Sequence, residues 1–228
     1  MTNLDKSPAD VLSSIFSNLS EHFGEQHWWP AETSFEVLVG AILTQQTSWR
    51  NVEKAIASLK LQNLMTPQAI ASIRESKLQE LVKPAGFFRQ KAQRLQHLCK
   101  YLANQYNGDL PRFFDKPIES LKRELLALEG VGPETADSMI LYGAEKPTFV
   151  IDAYTIRFLK RFGLIEVGKY ETVKNFLESY IPLDLNRYKE YHALIVELCK
   201  TYCKSRPRCG ECPLKGDCVR GKKEIYHA

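Results

Sequence analysis

Four cysteines near the end of the chain are the densest group of residues that could do chemistry. They are Cys203, Cys209, Cys212 and Cys218. Four thiolates within sixteen residues can enclose one metal centre, either a tetrahedral zinc ion or a [4Fe-4S] cluster. Zinc ribbons usually contain two CxxC pairs and this segment contains one, which favours the cluster and leaves zinc open. Disulfides are the weaker alternative because a cytoplasmic chain keeps its thiols reduced. The other two cysteines, Cys99 and Cys199, are expected in the core.

The segment around these cysteines is also strongly basic. Residues 199–223 hold eight of the 31 basic residues and two of the 27 acidic ones, a net charge of +6, while the rest of the chain has a net charge of −2. Clustered bases attract a polyanion such as nucleic acid, since local potential governs phosphate binding more than total charge does. On charge alone, a solubilising tail without a ligand is the alternative.

A glycine loop, LEGVGPETAD, lies at residues 128–137 between two predicted helices. Gly130 and Gly132 allow a tight turn and leave backbone amides uncovered by side chains. Together with the positive end of the helix that Pro133 begins, these amides predict a seat for phosphate. An ordinary joint between two helices is the alternative, which a lone GxG motif leaves open.

The three tryptophans, Trp28, Trp29 and Trp49, fall within 22 residues. Core packing is the common fate of aromatic residues. However, two adjacent tryptophans on a loop cannot easily point into the same core. Indole faces can stack on a nucleobase that has been flipped out of a duplex, and cation–π attraction favours a base that alkylation has made positive. Asp152, at the start of a predicted helix, is read locally as a helix cap.

The elements that must position these residues are predicted to be helices, because no stretch shows the convincing alternation of a strand. The predicted helices cover residues 7–23, 33–43, 50–59, a short segment from 66, and 89–106, 118–128, 133–142, 152–162, 169–179 and 186–201. Residues 146–151 are predicted to be extended. The fold class is therefore all-α. Two lobes are expected: residues 31–145, with the hairpin at 118–143, and residues 1–30 with 146–228, which end in the cysteine loop 203–218.

The bulk composition limits the class of protein. With 228 residues, 44% of them apolar, the chain can bury a real core. No run approaches 18 apolar residues, and residues 1–30 lack the basic start and apolar centre of a signal peptide. We therefore expect a soluble cytoplasmic protein without a membrane partner.

The motifs LEGVGPETADSMI and FVIDAYTIRFLKRFG, followed by the four cysteines, resemble the helix-hairpin-helix glycosylases of the endonuclease III superfamily. The resemblance extends from Phe35 to Cys218. It implies that the hairpin grips double-stranded DNA, that Asp152 is catalytic and that the cysteine loop holds a [4Fe-4S] cluster. The first gap between the cysteines has five residues, one fewer than the commoner family spacing. The DNA-binding hairpin residues that the resemblance implies are Gly130, Val131, Gly132 and Thr135.

Glu134 occupies the hairpin position at which family members that also nick the DNA backbone have a lysine. Strand cleavage by β-elimination passes through a Schiff base, which a carboxylate cannot form. The resemblance therefore implies a glycosylase that removes a base and leaves the strand intact. Glu134 could contact the flipped base or a bound cation, or it could simply be an acid favourably placed in a first helical turn.

The WWP stretch, and an aromatic residue just after TQQT, resemble the 3-methyladenine DNA glycosylase III branch of this superfamily. The resemblance implies that Trp28 and Trp49 stack on the damaged purine while Trp29 and Pro30 shape the wall of the pocket. It also implies that Gln46 fills the gap left by the extruded nucleotide. The expected function is excision of alkylated purines such as 3-methyladenine by a monomer associated with the nucleoid.

Two other functions stay open on the sequence. Other branches of the superfamily excise oxidised pyrimidines or mismatched thymine and uracil. A protein of a different class would use the hairpin and the cluster only to bind DNA and would catalyse nothing. The aspartate at position 152 argues against the second alternative, because DNA binding alone does not need it.

Overall fold

The computed structural model describes residues 6–166 and 168–225, and every regular element in this part of the chain is a helix. The all-α fold class is therefore confirmed. The outer ends of the predicted second lobe, residues 1–5 and 226–228, lie outside the described residues, as does Val167. None of the helices in the described ranges combines the length and the apolar composition needed to cross a membrane.

Thirteen α-helices follow one another along the described residues. They are α1 (Pro8–Phe23), α2 (Ser34–Leu43), α3 (Trp49–Leu61), α4 (Pro67–Ser72), α5 (Glu75–Val82), α6 (Phe88–Tyr106), α7 (Leu110–Phe114), α8 (Ile118–Leu126), α9 (Pro133–Ser138), α10 (Ala153–Phe162), α11 (Tyr170–Tyr180), α12 (Leu185–Thr201) and α13 (Val219–Ile225). Short 3₁₀ turns cover Lys83–Ala85 and Cys209–Glu211, and a π-helix covers Met139–Gly143.

The chain divides into two compact units. We call Trp29–Lys146 the hairpin unit, and Met1–Trp28 together with Pro147–Ala228 the aspartate unit. The lobe boundaries predicted from the sequence are residues 31 and 145. The first division falls between the two adjacent tryptophans, so that Trp28 and Trp29 belong to different units.

Side-chain caps explain where several helices begin. The Ser7 hydroxyl accepts a hydrogen bond from the amide of Asp10 at the start of α1, and Thr33 does the same for Glu36 in α2. Such caps satisfy amides that the first helical turn leaves without partners. Pro8 at the first position of α1 fixes a helical φ without losing a needed donor. These are start signals that the sequence analysis uses.

The sequence analysis missed α5, α7 and α13, and it extended the helix from Pro133 as a regular α-helix to Tyr142. In the structure α9 ends at Ser138 and the chain continues as the π-helix. Every residue of the π-helix is buried. Gly143 closes it where a Cβ atom would lie 3.0 Å from Leu38, so the close packing of α2 explains the glycine.

The core of the hairpin unit is built around α2. All of its residues except Ser34 are buried, and it packs against α3, α6, α9 and the π-helix. In the aspartate unit, α12 has the corresponding position and packs against α1 and α10. The hydroxyl of Tyr191 on α12 donates to the Leu12 carbonyl of α1 at 2.9 Å, so a buried polar group is satisfied inside an apolar interface.

A buried lysine ties together two segments of the hairpin unit. Lys91 on α6 is 1% exposed, and its ammonium group donates to the carbonyls of Leu43 at 2.9 Å and Ala85 at 2.7 Å. Those carbonyls close α2 and the 3₁₀ turn before α6. Burial, with the nearby charge of Arg94, lowers the pKa of Lys91 to about 8. Burying this charge is tolerable because both carbonyls compensate it.

Replacement of this lysine should therefore destabilise the fold. Lys91→Met keeps the volume of the side chain but leaves two buried carbonyls without their donor. Each group left in that state costs about 1–3 kcal/mol, so the two together should lower the free energy of unfolding by about 2–6 kcal/mol, measured by urea denaturation. Lys100→Met, on an exposed position of the same helix, is the matched control and should change stability by less than about 0.5 kcal/mol. Equal effects of the two substitutions would contradict the role of Lys91.

Candidate functional site

The predicted hairpin consists of α8, a tight turn and α9 within the hairpin unit. Gly130 has a φ of 79°, in the left-handed region that favours glycine, whereas Gly132 is extended with a φ of −91° and a ψ of 177°. The turn is closed by the Val131 amide, which donates to the Leu128 carbonyl at 3.1 Å. Only Gly130 therefore needs the freedom of glycine for its backbone. The Val131 side chain is buried, so only its backbone is available to a ligand.

Gln45 connects this turn to the loop before α3. Its amide nitrogen donates to the Gly130 carbonyl at 3.0 Å and to the Thr135 hydroxyl at 3.1 Å. Its amide oxygen accepts from the Arg94 guanidinium at 2.7 Å. The buried Thr135 hydroxyl is thus a partner of Gln45 inside the hairpin unit. The sequence analysis selected the neighbouring Gln46 and missed Gln45, because only the fold brings it to the hairpin.

Five exposed non-glycine residues of the hairpin unit have left-handed backbone, and Gln46 and Phe87 are two of them. Gln46 has a φ of 55°, and Phe87, at the start of α6, has a φ of 43° with 61% of its surface exposed. Non-glycine residues in this region are uncommon and often mark functional sites. In sequence, Gln46 lies shortly after Leu43 and Phe87 shortly after Ala85, the two residues whose carbonyls accept from Lys91. The sequence analysis missed Phe87, since nothing in its sequence neighbourhood signals exposure.

Near the hairpin, Glu134 is exposed whereas the neighbouring lysines have partners within the unit. Glu134 is exposed in the first turn of α9. The Lys122 ammonium lies 3.4 Å from the carboxylate of Asp137, whose side chain is 0% exposed, so this pair joins α8 to α9. Lys146 donates to the Lys116 carbonyl at 2.6 Å. The two lysines nearest the motif in sequence are therefore engaged in holding the hairpin unit together.

Three aromatic rings gather in the hairpin unit. Trp29 and Trp49 meet edge to face, with ring centroids 5.2 Å apart and planes at 86°. Tyr142, which the π-helix presents, lies 5.3 Å from the Trp29 ring. A Cβ atom on Gly40 would lie 3.2 Å from the Trp29 indole and 3.3 Å from Trp49, so α2 has no side chain where the rings pack. The sequence analysis missed Tyr142, because a π-helix leaves no signature in hydrophobic periodicity.

Trp28 and Pro30, the other residues predicted to contact the substrate, lie on either side of the point in the sequence where the chain passes from one unit to the other. Pro30 is exposed at the start of the hairpin unit. Trp28 belongs to the aspartate unit, and the Lys200 ammonium lies over its ring, 5.2 Å from the centroid. The predicted stacking partners Trp28 and Trp49 are therefore in different units, and within the hairpin unit the ring that meets Trp49 is Trp29.

Asp152 stands at the start of α10 in the aspartate unit. One carboxylate oxygen accepts from the Thr155 amide at 2.7 Å, which caps the helix, and the other lies 3.8 Å from Nε2 of His192 on α12. The side chains of Asp152 and His192 are 13% and 7% exposed. The sequence analysis missed His192, which is forty residues further along the chain. Asp152 therefore caps α10 and also has the His192 ring beside its carboxylate.

The electrostatics of Asp152 favour its charged form. Burial alone raises the pKa of this carboxyl, but the His192 ring 3.8 Å away and the hydrogen bond from the amide of Thr155 outweigh burial and bring the pKa below its usual range. An ionised carboxylate of this kind can stabilise a cation or accept a proton from water.

A pH dependence of stability follows from this lowered pKa. A carboxyl group whose pKa is lower in the folded state stabilises the protein above the unfolded-state pKa, about 3.9 for aspartate, and loses that contribution as the pH falls through the folded-state pKa. We expect the stability difference between the wild type and Asp152→Asn, measured by urea denaturation, to be constant above about pH 5 and to shrink below about pH 4. Asparagine caps helices about as well as aspartate, so the capping contribution cancels.

Asp184 provides the control for this measurement. It caps α12 in the same way, accepting from the Arg187 amide at 2.6 Å, but its side chain is exposed. Asp184→Asn should therefore show a smaller pH-dependent difference. A stability difference for Asp152→Asn that is independent of pH would contradict the described environment of this carboxyl.

The four predicted ligand cysteines line one pocket in the aspartate unit. Arg157 and Arg161 of α10 hold the first of them, since both donate to the Cys203 carbonyl, at 2.9 Å and 3.3 Å. The hydrogen bond with Cys199 and the Arg161 guanidinium outweigh burial and lower the pKa of the Cys203 thiol to about 6. Cys199 itself is buried, as predicted, and so is Cys99.

The arrangement of these thiols bears on which metal group they fit. In the described part of the chain, no three Cys, His, Asp or Glu side chains converge closely enough to hold a metal ion. A zinc ion needs all its sulfurs about 2.3 Å from one point, whereas a cluster is bound by thiols spread around a volume. The four cysteines line one pocket, so their thiols form a common donor set for a metal group. Several bases of the segment are exposed: Arg206, Arg208, Lys215 and Arg220.

Comparison with known proteins identifies the family. Residues 39–183 match the model of the HhH-GPD superfamily base excision DNA repair proteins. The chain is 47% identical over 212 residues to a Methanocaldococcus jannaschii protein whose name assigns it to the DNA repair glycosylases, covering 92% of this chain and 96% of that protein. It is 34% identical to endonuclease III of Thermotoga maritima, over 94% of this chain and 97% of the relative.

Solved structures share the fold. The 3-methyladenine DNA glycosylase of H. pylori, crystallised with 1,N6-ethenoadenine, is 30% identical with a TM-score of 0.74, over 84% of this chain and 96% of that one. A non-covalent complex of endonuclease III with DNA has a TM-score of 0.83 at 24% identity, over 97% and 100% of the two chains, and is a likeness of fold alone. The family model matches more than half of the chain, and relatives at 47% and 34% identity match it over more than nine tenths of its length. The chain therefore belongs to the HhH-GPD superfamily of base excision DNA repair proteins.

Proposed function

We propose that this protein is a monofunctional DNA glycosylase that excises alkylated purines, such as 3-methyladenine, and leaves an abasic site. The observation that carries the proposal is Asp152, a largely buried carboxylate held in its charged form by Thr155 and His192. Capping alone does not require that burial, since Asp184 caps α12 with an exposed side chain. We further propose that it acts as a monomer on chromosomal DNA in the cytoplasm.

Asp152 supplies the chemistry that base removal requires. As the bond between the base and C1′ breaks, its electron pair leaves with the base and positive charge develops on the deoxyribose. The ionised carboxylate stabilises that charge, and it accepts the proton of the water that attacks C1′. His192 is a positioning residue, since its ring lies beside the carboxylate and limits its orientation.

An alkylated purine suits the aromatic residues of the protein. A base that carries positive charge is already a good leaving group, so little acid catalysis is needed at the base. The electron-rich faces of Trp29, Trp49 and Tyr142 attract such a base more than a neutral one. Lys200 covers one face of Trp28, so the stacking role of Trp28 requires the opposite face.

Two residues of the hairpin unit are suited to enter the duplex. A flipped nucleotide leaves a gap in the stack, and a protein side chain that fills the gap offsets part of the cost of flipping. Gln46 and Phe87 are exposed on left-handed backbone, and Lys91 fixes the segment before each of them. We assign both to this role, Gln46 as the sequence resemblance implies and Phe87 as an aromatic wedge.

The lysines close to the hairpin do not suit strand cleavage. Glu134 stands at the hairpin position of the lyase lysine, and a carboxylate forms no Schiff base. Lys122 is paired with Asp137, and Lys91 is buried with its ammonium group bound to two carbonyls. These environments support a glycosylase that hydrolyses the glycosidic bond without nicking.

A second candidate function is an endonuclease III-like activity on oxidised or mismatched pyrimidines. It is favoured by the 34% identity to endonuclease III of T. maritima over nearly the whole chain. The two functions differ in the base released and in the fate of the strand, so one experiment can separate them.

We also propose that Cys203, Cys209, Cys212 and Cys218 hold a [4Fe-4S] cluster. The pocket that they share supports this donor set, because thiolates are the ligands of such clusters. When bound, the cluster would fix the shape of a loop that has little apolar core of its own. The exposed basic side chains of that loop would then face the phosphates of DNA.

The lesion specificity is tested with duplexes that contain an alkylated purine, an oxidised pyrimidine, or thymine or uracil opposite guanine. Free base and strand breaks are scored separately. We expect release of the alkylated purine, no strand breaks, and no complex trapped by borohydride, because no amine forms a Schiff base. Release of oxidised pyrimidine with trapping would instead support the endonuclease III-like function.

Two variants make this assay specific. Asp152→Asn should lower excision by at least about a hundredfold while duplex affinity is kept, as expected for loss of a charge-stabilising base. Trp49→Ala should reduce turnover on alkylated purine far more than it reduces binding to undamaged duplex. Unchanged excision by Asp152→Asn would remove this residue from the mechanism, and equal losses in Trp49→Ala would show a purely structural tryptophan.

The metal group is tested by purification without oxygen and by metal analysis. We expect about four iron atoms per chain and the visible absorption that colours such clusters brown, with both lost in Cys212→Ser. Cys99→Ser, which changes a buried cysteine of the other unit, is the control and should retain the iron. Stoichiometric zinc without iron would contradict the cluster.

A further inference from the structure

Arg94, on α6, lies directly against the turn of the hairpin. A Cβ atom on Gly130 would be 2.3 Å from both Cδ and Nε of Arg94, so the arginine side chain passes over the glycine at close range. The glycine is thus required twice, once by its φ of 79° and once by the arginine that covers it. The arginine and the turn form one surface of the hairpin unit.

Gln45 fixes the guanidinium of Arg94 without neutralising it. The amide oxygen of Gln45 is the acceptor, at 2.7 Å, while the amide nitrogen is anchored on Gly130 and Thr135. This is the one hydrogen bond that the guanidinium makes within residues 6–166 and 168–225. A guanidinium has five donors, so most of its capacity is available to another acceptor.

The charge around Arg94 is unbalanced. No carboxylate in the described part of the chain lies within ion-pair distance of it, and its neighbour one turn earlier, Lys91, is also a cation. The acid next to the turn, Glu129, lies 3.3 Å from Nδ1 of His97, one turn further along α6. A fixed, half-exposed cation with a cationic neighbour and no counter-ion is suited to an external anion.

We propose that Arg94 binds a phosphate of the DNA strand that the hairpin grips, with Gln45 as the positioning residue that aims its guanidinium. The inference rests on the proposed DNA glycosylase function and adds to it one specific phosphate contact. The alternative is that Arg94 is a structural brace, which only supports the turn and contacts no DNA. The two readings differ in the dependence of DNA affinity on salt.

The test is the affinity for undamaged duplex over a range of salt concentrations. Arg94→Met keeps the stem that packs on Gly130 and removes the charge. A lost phosphate contact should reduce the slope of log affinity against log salt by about one, and weaken binding by about tenfold at low salt. Damaged and undamaged duplexes should be affected equally, because a phosphate contact carries no information about the base.

Three further variants separate charge from support. Arg94→Lys should restore the slope but not the full affinity, because a lysine keeps the charge and loses the fork that Gln45 aims. Lys100→Met, at an exposed position of the same helix, is the matched control and should leave the slope unchanged. Arg94→Gln is a second neutral variant if Arg94→Met unfolds, which thermal denaturation would reveal.

An unchanged salt slope in a folded neutral variant would overturn the inference and leave Arg94 as a brace. That outcome is distinct from failure of the proposed function. A wild-type protein that binds duplex but releases no base would contradict the glycosylase, and the salt slope would still decide the role of Arg94. A wild type that binds no DNA would overturn both.

Discussion

A charge that is removed from water must be given partners, and this constraint organises both units of the protein. In the hairpin unit, Lys91 is buried with two backbone carbonyls as its partners, and it thereby fixes the segments that precede Gln46 and Phe87. In the aspartate unit, Asp152 is kept ionised by Thr155 and His192. Because each compensation is geometric as well as electrostatic, the groups that compensate a buried charge also fix the position of the side chain that carries it.

Much of the fold could be predicted from the sequence, because it is recorded in local signals. Ser7 and Thr33 cap helices where their hydroxyls precede apolar periodicity, and the GVG turn lies where two helices meet. The family was also recognisable, since its motifs are contiguous stretches. Asp152 could be selected for the same reason, although only the structure gives it His192 as a neighbour.

The rest could not be predicted because it depends on contacts between distant parts of the chain. Gln45 and Gln46 are adjacent and chemically identical, yet only Gln45 meets Gly130, Thr135 and Arg94. Tyr142 reaches Trp29 from a π-helix, whose wider turn does not follow the 3.6-residue periodicity by which helices are predicted. The pairing of Trp49 with Trp29 likewise follows from the glycine at position 40 rather than from spacing.

The helix α10 has a mechanical consequence for the aspartate unit. Asp152 stands at its first turn, and Arg157 and Arg161, further along, hold the backbone where the cysteine loop begins. Ten helical residues make a rod of about 15 Å that bends little. A displacement of the backbone at Cys203 would therefore be transmitted to the same helix that Asp152 caps. The position of the cysteine loop and the orientation of the Asp152 carboxylate are therefore linked through α10.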